Sequence, residues 1–220
     1  MKDSADGWRR AATSSDAPEI VTLDALLAHP DIVRLARTLR ETPGKEISDE
    51  TPTSWAAIAL VLRMGALREP ELLMIKRAEA EHDPWSGHVA CPGGRKEPGD
   101  RDLEETAVRE TWEETGIDLR TIGRVLGTLD DVRPRTPVLP PIVIRPFVAA
   151  VPSTVETVQS PEVASAFWVP MSALRERAAW ALGMVRVRNM EREVATFRHG
   201  EHVVWGLTER VLRQLLERMG

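Results

Sequence analysis

The chain has 220 residues with a formal net charge of −5, and 42% of the residues are hydrophobic. These values predict one soluble domain with an ordinary core, and the acidic balance argues against a general nucleic-acid-binding protein, which needs a basic surface. The single cysteine, Cys91, excludes an intrachain disulfide, and no apolar run reaches the roughly 18–20 residues of a membrane span. The N-terminus lacks the apolar core of a secretory signal, so we expect a cytoplasmic protein without a membrane partner.

The first part of the chain predicts a polar tail, a helix and a β-hairpin. Apolar residues recur with helical spacing over 22–41, where Pro30 should break or offset the first turn. After a polar linker, the stretches 55–63 and 71–76 predict two paired strands. We therefore expect an N-terminal tail and helix over residues 1–50 and the main folded domain over 51–220. The helix either packs on that domain or swaps onto a partner subunit in a homodimer.

The rest of the chain mixes strands and helices. Residues 78–99 predict a long functional loop, and 101–115 predict a helix with Asp100 as its N-cap and Gly116 as its stop. Further strands are predicted at 123–129, 142–151, 163–169, 184–187, 194–197 and 202–204, with helices at 171–179 and 207–219. This mixture indicates an α/β or α+β domain.

Three glutamates share one side of the predicted 101–115 helix. Glu110, Glu113 and Glu114 are spaced i, i+3 and i+4, so their carboxylates repel one another. Mg²⁺ or Mn²⁺ prefers such oxygen ligands and relieves that repulsion. Arg109 can pair with Glu113 one turn later or with Glu105 one turn earlier, which would hold a glutamate in place.

Two glycines precede this helix. Gly93 and Gly94 allow a tight turn and close backbone approach, and a free carbonyl at Gly93 offers a further metal ligand. The competing interpretation is a solvated helix rich in glutamate. The glycine pair and the terminal Gly116-Ile117 at their observed spacing argue against it.

The stretch 93–117 resembles the Nudix box, G-x5-E-x7-R-E-U-x-E-E-x-G-U, in which U is apolar. Matching positions are Gly94, Arg109, Glu110, Glu113, Glu114, Gly116 and Ile117. Two positions depart: Thr111 fills an apolar place, and the first acid is Asp100, which is separated from Arg109 by eight residues instead of seven. The departure argues against a large role for Asp100 and leaves the metal-binding residues intact.

The extra residue resembles the coenzyme A pyrophosphatase branch of that superfamily, whose box is GGxxxxxDxxxxxTAxRExxEE. The matching residues are Gly93, Gly94, Asp100, Thr106, Ala107, Arg109 and Glu110. The branch's upstream pattern, LLxxxR…GxxxFPGG, is matched in part, with Cys91 in place of its Phe and Ala78 in place of a following Ser. Similarity to the family extends over about residues 50–219.

The resemblance implies an α/β/α Nudix sandwich with a mixed sheet, which hydrolyses a phosphoanhydride bond with Mg²⁺ or Mn²⁺. The substrate it implies is a small nucleoside-diphosphate-linked molecule, coenzyme A or a derivative. Glu110 and Glu114 would be principal metal ligands, with Glu113 a further ligand or a water-positioning group and Arg109 orienting the glutamates. Glu162 is the nearest candidate for a later ligand or general base, or it is an ordinary acid at a strand edge.

Five residues are candidate substrate contacts. Arg77 pairs either with substrate phosphate or with the helix carboxylates. Trp85 stacks on a base or anchors its loop, and His88 contacts phosphate or water or bonds only to the backbone. Arg133 and Arg135 bind phosphates or lie in a solvated linker. In addition, Cys91 is expected to pack under the glycine loop, and Trp112 and Trp205 to be core or interface residues.

Rival functions remain. One is a Nudix pyrophosphatase for nucleoside triphosphates, ADP-ribose or nucleotide sugars. Another is a nucleotide-binding Nudix module without catalysis, against which the intact Arg109 and glutamates argue. A third is a diphosphate isomerase, which needs a catalytic thiol, for which Cys91 is the one candidate.

Overall fold

A computed structural model describes residues 22–48, 54–81, 85–134, 141–187 and 190–220. The predicted polar tail and Arg135 lie outside these residues. The helices are α1 (Leu23–Leu27), α2 (Pro30–Glu41), α3 (Leu103–Thr115), α4 (Leu119–Ile122), α5 (Met171–Arg175) and α6 (Gly206–Met219), with a 3₁₀ turn at Arg177–Ala179. Within the described ranges, no helix is long and apolar enough to cross a bilayer.

The strands form two sheets. They are β1 (Ser54–Met64), β2 (Pro70–Arg77), β3 (Val89–Ala90), β4 (Gly93–Arg95), β5 (Arg124–Thr128), β6 (Ile142–Ala150), β7 (Val163–Pro170), β8 (Trp180–Val187), β9 (Met190–His199) and β10 (His202–Trp205). The first seven make a mixed sheet, in which β1 runs parallel to β6 and antiparallel to β2 and β4, and β7 pairs with β2. The last three make a small antiparallel sheet in the order β10-β9-β8.

The large sheet is buried on both faces, which confirms the predicted sandwich. Its central strand β1 alternates between two clusters, since Ala57 and Ala59 pack with α3 while Leu60 and Leu62 pack with α2 and α6. A strand covered on both faces is expected to be apolar at successive positions, and the run WAAIALVLR has that pattern. The catalytic helix candidate therefore lies on one face of the sheet, and the terminal helices lie on the other.

The predicted 22–41 helix is two helices. Pro30 is the first residue of α2, after His29, whose side chain accepts a hydrogen bond from the Asp31 amide. This is the place in a helix where proline costs no hydrogen bond. Leu35 and its buried neighbours join the core beside α6, and Arg34 donates to the Met219 carbonyl at 2.9 Å. The segment thus packs on the chain's own domain.

Three predicted boundaries were wrong. The 78–99 loop contains the short strands β3 and β4, which were missed because two or three residues carry no visible periodicity. Helix α3 begins at Leu103, and its N-cap is Asp102, whose side chain accepts from the Glu105 amide at 2.8 Å. The predicted stop is confirmed, since Gly116 has the left-handed φ of 71°. Strands β8 and β9 are also longer than the predicted 184–187 and 194–197.

Candidate active site

The glycine pair brings β4 against both the central strand and α3. Gly93 and Gly94 pair with Ile58 and Ala57 of β1. A Cβ at Gly93 would overlap the Ala57 carbonyl, and the residue has a φ of +152°. A Cβ at Gly94 would overlap the carboxyl group of Glu110. Both positions therefore require glycine for the helix carboxylates to reach the strand.

Glu114 is buried where α3 meets β4. Its Oε2 accepts from the Gly93 amide at 2.8 Å, and its Oε1 lies 3.4 Å from Nη1 of Arg77. Burial raises the pKa of Glu114 to about 7, an effect that the Gly93 amide and Arg77 oppose and that Glu110 and Glu162 reinforce. The Glu114 carboxylate is therefore held in place, but nearby donors balance its negative charge only in part.

The pKa of Glu110 is also raised, and for similar reasons. Burial raises the pKa of Glu110, Arg109 lowers it, and the charges of Glu113 and Glu162 raise it further. Glu113 is more exposed, with 46% of its side chain accessible. The predicted face of the helix thus carries one buried, one half-buried and one exposed carboxylate.

Arg109 connects these glutamates to the loop before the helix. Its Nη1 donates to Glu110 and to Glu113, each at 2.9 Å. Its Nε and Nη2 donate to the two oxygens of Asp100 at 3.0 and 2.9 Å, and Nη2 also donates to the Arg95 carbonyl at 3.1 Å. The predicted pairing with Glu113 is present.

Glu105, the other predicted partner of Arg109, forms ion pairs with different arginines. It pairs with Arg101 at 2.9 Å and with Arg120 at 3.0 Å. The expectation that Asp100 has no large role was wrong, because Asp100 is the bidentate partner of Arg109. Asp100 also accepts from the Thr106 hydroxyl at 2.9 Å, and the bonds from Arg109 hold its pKa well below the usual range. Its place at an acidic position of the box was the signal for this contact.

Glu162 is near the buried glutamates because its loop is fastened to the end of α3. The amide of Val158 donates to the Thr115 carbonyl at 2.8 Å, and that of Ser160 to the Glu114 carbonyl at 3.3 Å. The Glu162 carbonyl accepts from the Ala78 amide at 2.8 Å. Its charge raises the pKa of both Glu110 and Glu114. Glu162 and Arg77 thus both lie beside the carboxylates of α3.

The loop before the glycines borders this group of charges. The His88 carbonyl accepts from the Arg77 amide at 2.9 Å, and the His88 amide donates to the Trp85 carbonyl at 3.1 Å. The His88 ring lies 4.6 Å from the ring of Trp205. Arg133 lies further along the chain, and its carbonyl accepts from Arg210 of α6 at 2.8 Å.

The structure also describes the three residues that were predicted to be structural, Cys91, Trp112 and Trp205. Cys91 is buried as predicted, and burial raises the pKa of its thiol to about 12, which keeps it protonated. An isomerase using this thiol is therefore disfavoured. Trp112 is 58% exposed, so of its two predicted places, core or interface, the core is excluded and the interface stays a prediction. Trp205 is partly buried at the start of α6.

The carboxylate and carbonyl oxygens of this site are of the kind that binds a hard divalent cation. Among the residues with described positions, no three His, Cys, Asp or Glu side chains are already arranged around a common point. The charge of Glu162 nevertheless raises the pKa of both Glu110 and Glu114, and the charge of Glu110 raises that of Glu114 further. A divalent ion would remove that penalty, and carboxylate and carbonyl oxygens are the ligands it prefers.

Comparison with known proteins gives consistent results. The model of the NUDIX domain family matches residues 53–188. The uncharacterized Nudix hydrolase NudL of Photorhabdus laumondii is 27% identical over 195 residues, covering 88% of this chain and 99% of that protein. The uncharacterized Nudix hydrolase NudL of Yersinia enterocolitica is 29% identical over 192 residues, covering 83% and 94%.

A solved structure has the same fold. The NUDIX domain of Shewanella oneidensis NrtR, complexed with ADP ribose, matches with a TM-score of 0.52 at 16% identity. The match covers 79% of this chain and 94% of that one. At this identity the likeness is one of fold.

Proposed function

Since the chain belongs to the Nudix family and is a hydrolase acting on pyrophosphate bonds, we propose that Glu110 and Glu114 form its catalytic centre and that its substrate is coenzyme A or a derivative. The observation that carries the proposed catalytic centre is the close packing of both carboxylates against Gly93 and Gly94, with Arg109 hydrogen-bonded to Glu110. The reaction is X-phosphate-phosphate-Y plus water, giving two phosphorylated products.

Nudix enzymes generally use divalent metal ions, and the donor set proposed for Mg²⁺ or Mn²⁺ is Glu110, Glu113, Glu114 and the Gly93 carbonyl. When bound, such an ion supplies positive charge to the phosphate oxygens and lowers the pKa of a coordinated water. The protein's own task is to hold these oxygens in place. The Gly93 amide and Arg77 hold Glu114, and Arg109 holds Glu110 and Glu113.

Two further groups complete the proposed site. Glu162 is the candidate to accept a proton from the attacking water, because its loop is hydrogen-bonded to the carbonyls of Glu114 and Thr115. Trp85, His88, Arg133 and Arg135 are proposed contacts of the substrate. Arg77 already touches Glu114, which favours the interpretation that it orients this carboxylate rather than substrate phosphate.

The proposal of a coenzyme A-type substrate rests on the Nudix box, in which one extra residue lies between Asp100 and Arg109, as in the coenzyme A pyrophosphatase branch. Among its distinguishing residues, Thr106 donates to Asp100, the partner of Arg109, and Ala107 lies on the side of α3 that packs against the sheet. Cleavage of coenzyme A at its diphosphate would yield an adenosine bisphosphate and phosphopantetheine. The nearest rival is a pyrophosphatase for nucleoside triphosphates, ADP-ribose or nucleotide sugars.

A substrate panel with product identification tests the proposal. Purified protein is assayed with Mg²⁺ and with Mn²⁺ on coenzyme A, ADP-ribose, nucleoside triphosphates and nucleotide sugars. We expect coenzyme A to have the highest kcat/KM, with the two products named above. Coenzyme A ranking far below another substrate would overturn the substrate proposal. Binding of nucleotides without cleavage of any diphosphate would favour the non-catalytic module.

A further inference from the structure

Strand β8 is the edge of the small sheet. The strand order is β10-β9-β8, so within the part of the chain that the structure describes, β8 pairs with β9 alone. Strand β10 pairs with β9 over Thr196–His199, whereas β8 pairs with β9 along its whole length, Trp180–Val187. The outer part of the β8–β9 hairpin is therefore two strands wide, and a hairpin of two strands is marginally stable by itself.

This edge strand exposes apolar side chains. Leu182 is 68% exposed and Met184 is 57% exposed, and the two share one face of β8 because side chains alternate along a strand. The sequence WALGMVRV contains one charged residue, Arg186, and no proline, and its register with β9 has no bulge. Natural edge strands are usually shielded by charges, proline or bulges, so β8 has little protection against pairing with another strand.

The sequence of β8 is complementary to itself in the antiparallel direction. If two copies of the strand pair about Gly183, Leu182 of each copy lies opposite Met184 of the other. The same register places Arg186 of each copy opposite Trp180 of the other. Apolar side chains that lie directly opposite each other stabilise an antiparallel ladder. The two exposed apolar residues would therefore cover each other on both sides of the two-fold axis.

The charges near β8 are compatible with this register. The two copies of Arg186 would be separated by the length of strand from 186 to 180, about 20 Å, which exceeds the Debye length at physiological salt. Within its own hairpin, Arg186 lies opposite Glu191. Arg213, whose guanidinium lies 4.5 Å from the centre of the Trp180 ring, is already paired with Glu209. A parallel pairing in register would instead place the two copies of Arg186 side by side.

We infer that two copies of this chain form a homodimer by antiparallel pairing of their β8 strands about Gly183. The two small sheets then form one sheet of six strands, in the order β10-β9-β8-β8-β9-β10. A symmetric dimer interface must be complementary to itself, and this requirement distinguishes a second copy from an unrelated protein. The inference does not rest on the proposed function, because the carboxylates of α3 lie against the large sheet.

Two single-charge variants test the interface by sedimentation velocity across the micromolar range. Leu182→Lys and Met184→Glu each place two like charges diagonally across the two-fold axis, about 7–8 Å apart. We expect the wild type to dimerise. Each variant should raise the dissociation constant of the dimer at least about tenfold, because like charges placed together in an interface oppose association.

An equimolar mixture of the two variants tests the register. In a mixed dimer, the introduced ammonium group lies opposite the introduced carboxylate, and the remaining Met184 lies opposite the remaining Leu182. We expect the mixture to dimerise about tenfold more tightly than either variant alone, because opposite charges now meet across the ladder. A variant that failed to fold could not regain association in this way.

The matched control is Met190→Lys, which changes an exposed methionine on β9 of the same hairpin, opposite Val187 and beyond the paired stretch 180–186. It should dimerise like the wild type, and circular dichroism should show that all three variants are folded. A wild type that is monomeric throughout, and so leaves the edge to a different protein, would overturn the inference. So would larger aggregates, a dimer that neither charge variant weakens, or a mixture that associates no better than its components.

Discussion

At the scale of single residues, Arg109 determines how the carboxylates are arranged. It donates to Glu110 and Glu113 on its own helix and to both oxygens of Asp100 in the preceding loop. Because a guanidinium offers donors in a planar fork, one side chain can hold three acids in defined positions. The buried partner in this set is Asp100, so the loop and the helix depend on each other.

We predict that Asp100→Asn lowers the free energy of unfolding by about 3 kcal/mol at neutral pH, the low end of the cost of breaking a buried pair, since Arg109 keeps two other partners. The native pKa of Asp100 is held below its ordinary value of 3.8. Its stabilisation is therefore complete above that value and disappears as pH falls towards the lower native pKa. Urea unfolding should show the difference from wild type narrowing in acid, and a difference that is constant with pH would contradict the assignment.

Glu114 has the opposite pH dependence. Its folded pKa is raised from 4.5 to about 7, so the folded protein binds this proton more tightly than the unfolded chain. In chelator, the contribution of Glu114 to stability therefore falls as pH rises from 4.5 through about 7. Glu114→Gln removes that penalty, so we predict that its stability relative to wild type is greater at about pH 8 than at about pH 5. Denaturant unfolding at both pH values measures this, and an equal difference would count against a destabilised anion.

Contacts between site residues were most predictable from sequence where spacing on one helix decided them. The grouping of Glu110, Glu113 and Glu114, and the pairing of Arg109 with Glu113, follow from helical geometry. The contact from Arg109 to Asp100 crosses a loop, and helical spacing does not describe a loop. The stacking of Phe167 on His202 joins distant parts of the chain and left no local signal.

At the scale of elements, α2 belongs to the core although it precedes the family match. Leu35 is fully buried and Val33 is 51% exposed on the same helix. We predict that Leu35→Ala lowers the free energy of unfolding by about 2–5 kcal/mol through a cavity, whereas Val33→Ala changes it by about 0.5 kcal/mol or less. Urea unfolding compares the pair. Similar small effects in both variants would contradict the packing of α2 against the domain.

The long periodic elements were predictable and the short ones were not. The β1–β2 hairpin and α6 were predicted to within a few residues because their apolar patterns are sustained. Strands β3 and β4 form because neighbouring strands offer hydrogen-bonding partners, as between Gly93 and Ile58. Such pairing depends on tertiary structure, so local sequence does not reveal it.

At the scale of the whole molecule, the sandwich places buried carboxylates at a junction of helix, loop and sheet. We predict that Mg²⁺ at about 100 times its dissociation constant raises the free energy of unfolding by about 2.7 kcal/mol, because it binds the folded state alone. Thermal unfolding with chelator and with Mg²⁺ measures the change. The double variant Glu110→Gln with Glu114→Gln should show no rise, and an equal rise there would place the ion elsewhere.

The most direct test of the catalytic centre is turnover of the best substrate from the panel by Glu110→Gln and Glu114→Gln. We expect each to lower kcat by about a hundredfold or more, equivalent to about 2.7 kcal/mol of lost transition-state stabilisation. Glu104→Gln, an exposed position on the same helix, should retain wild-type kcat. Circular dichroism should show that all three variants are folded. Near-normal kcat in both Glu110→Gln and Glu114→Gln would contradict the assignment of these carboxylates to catalysis.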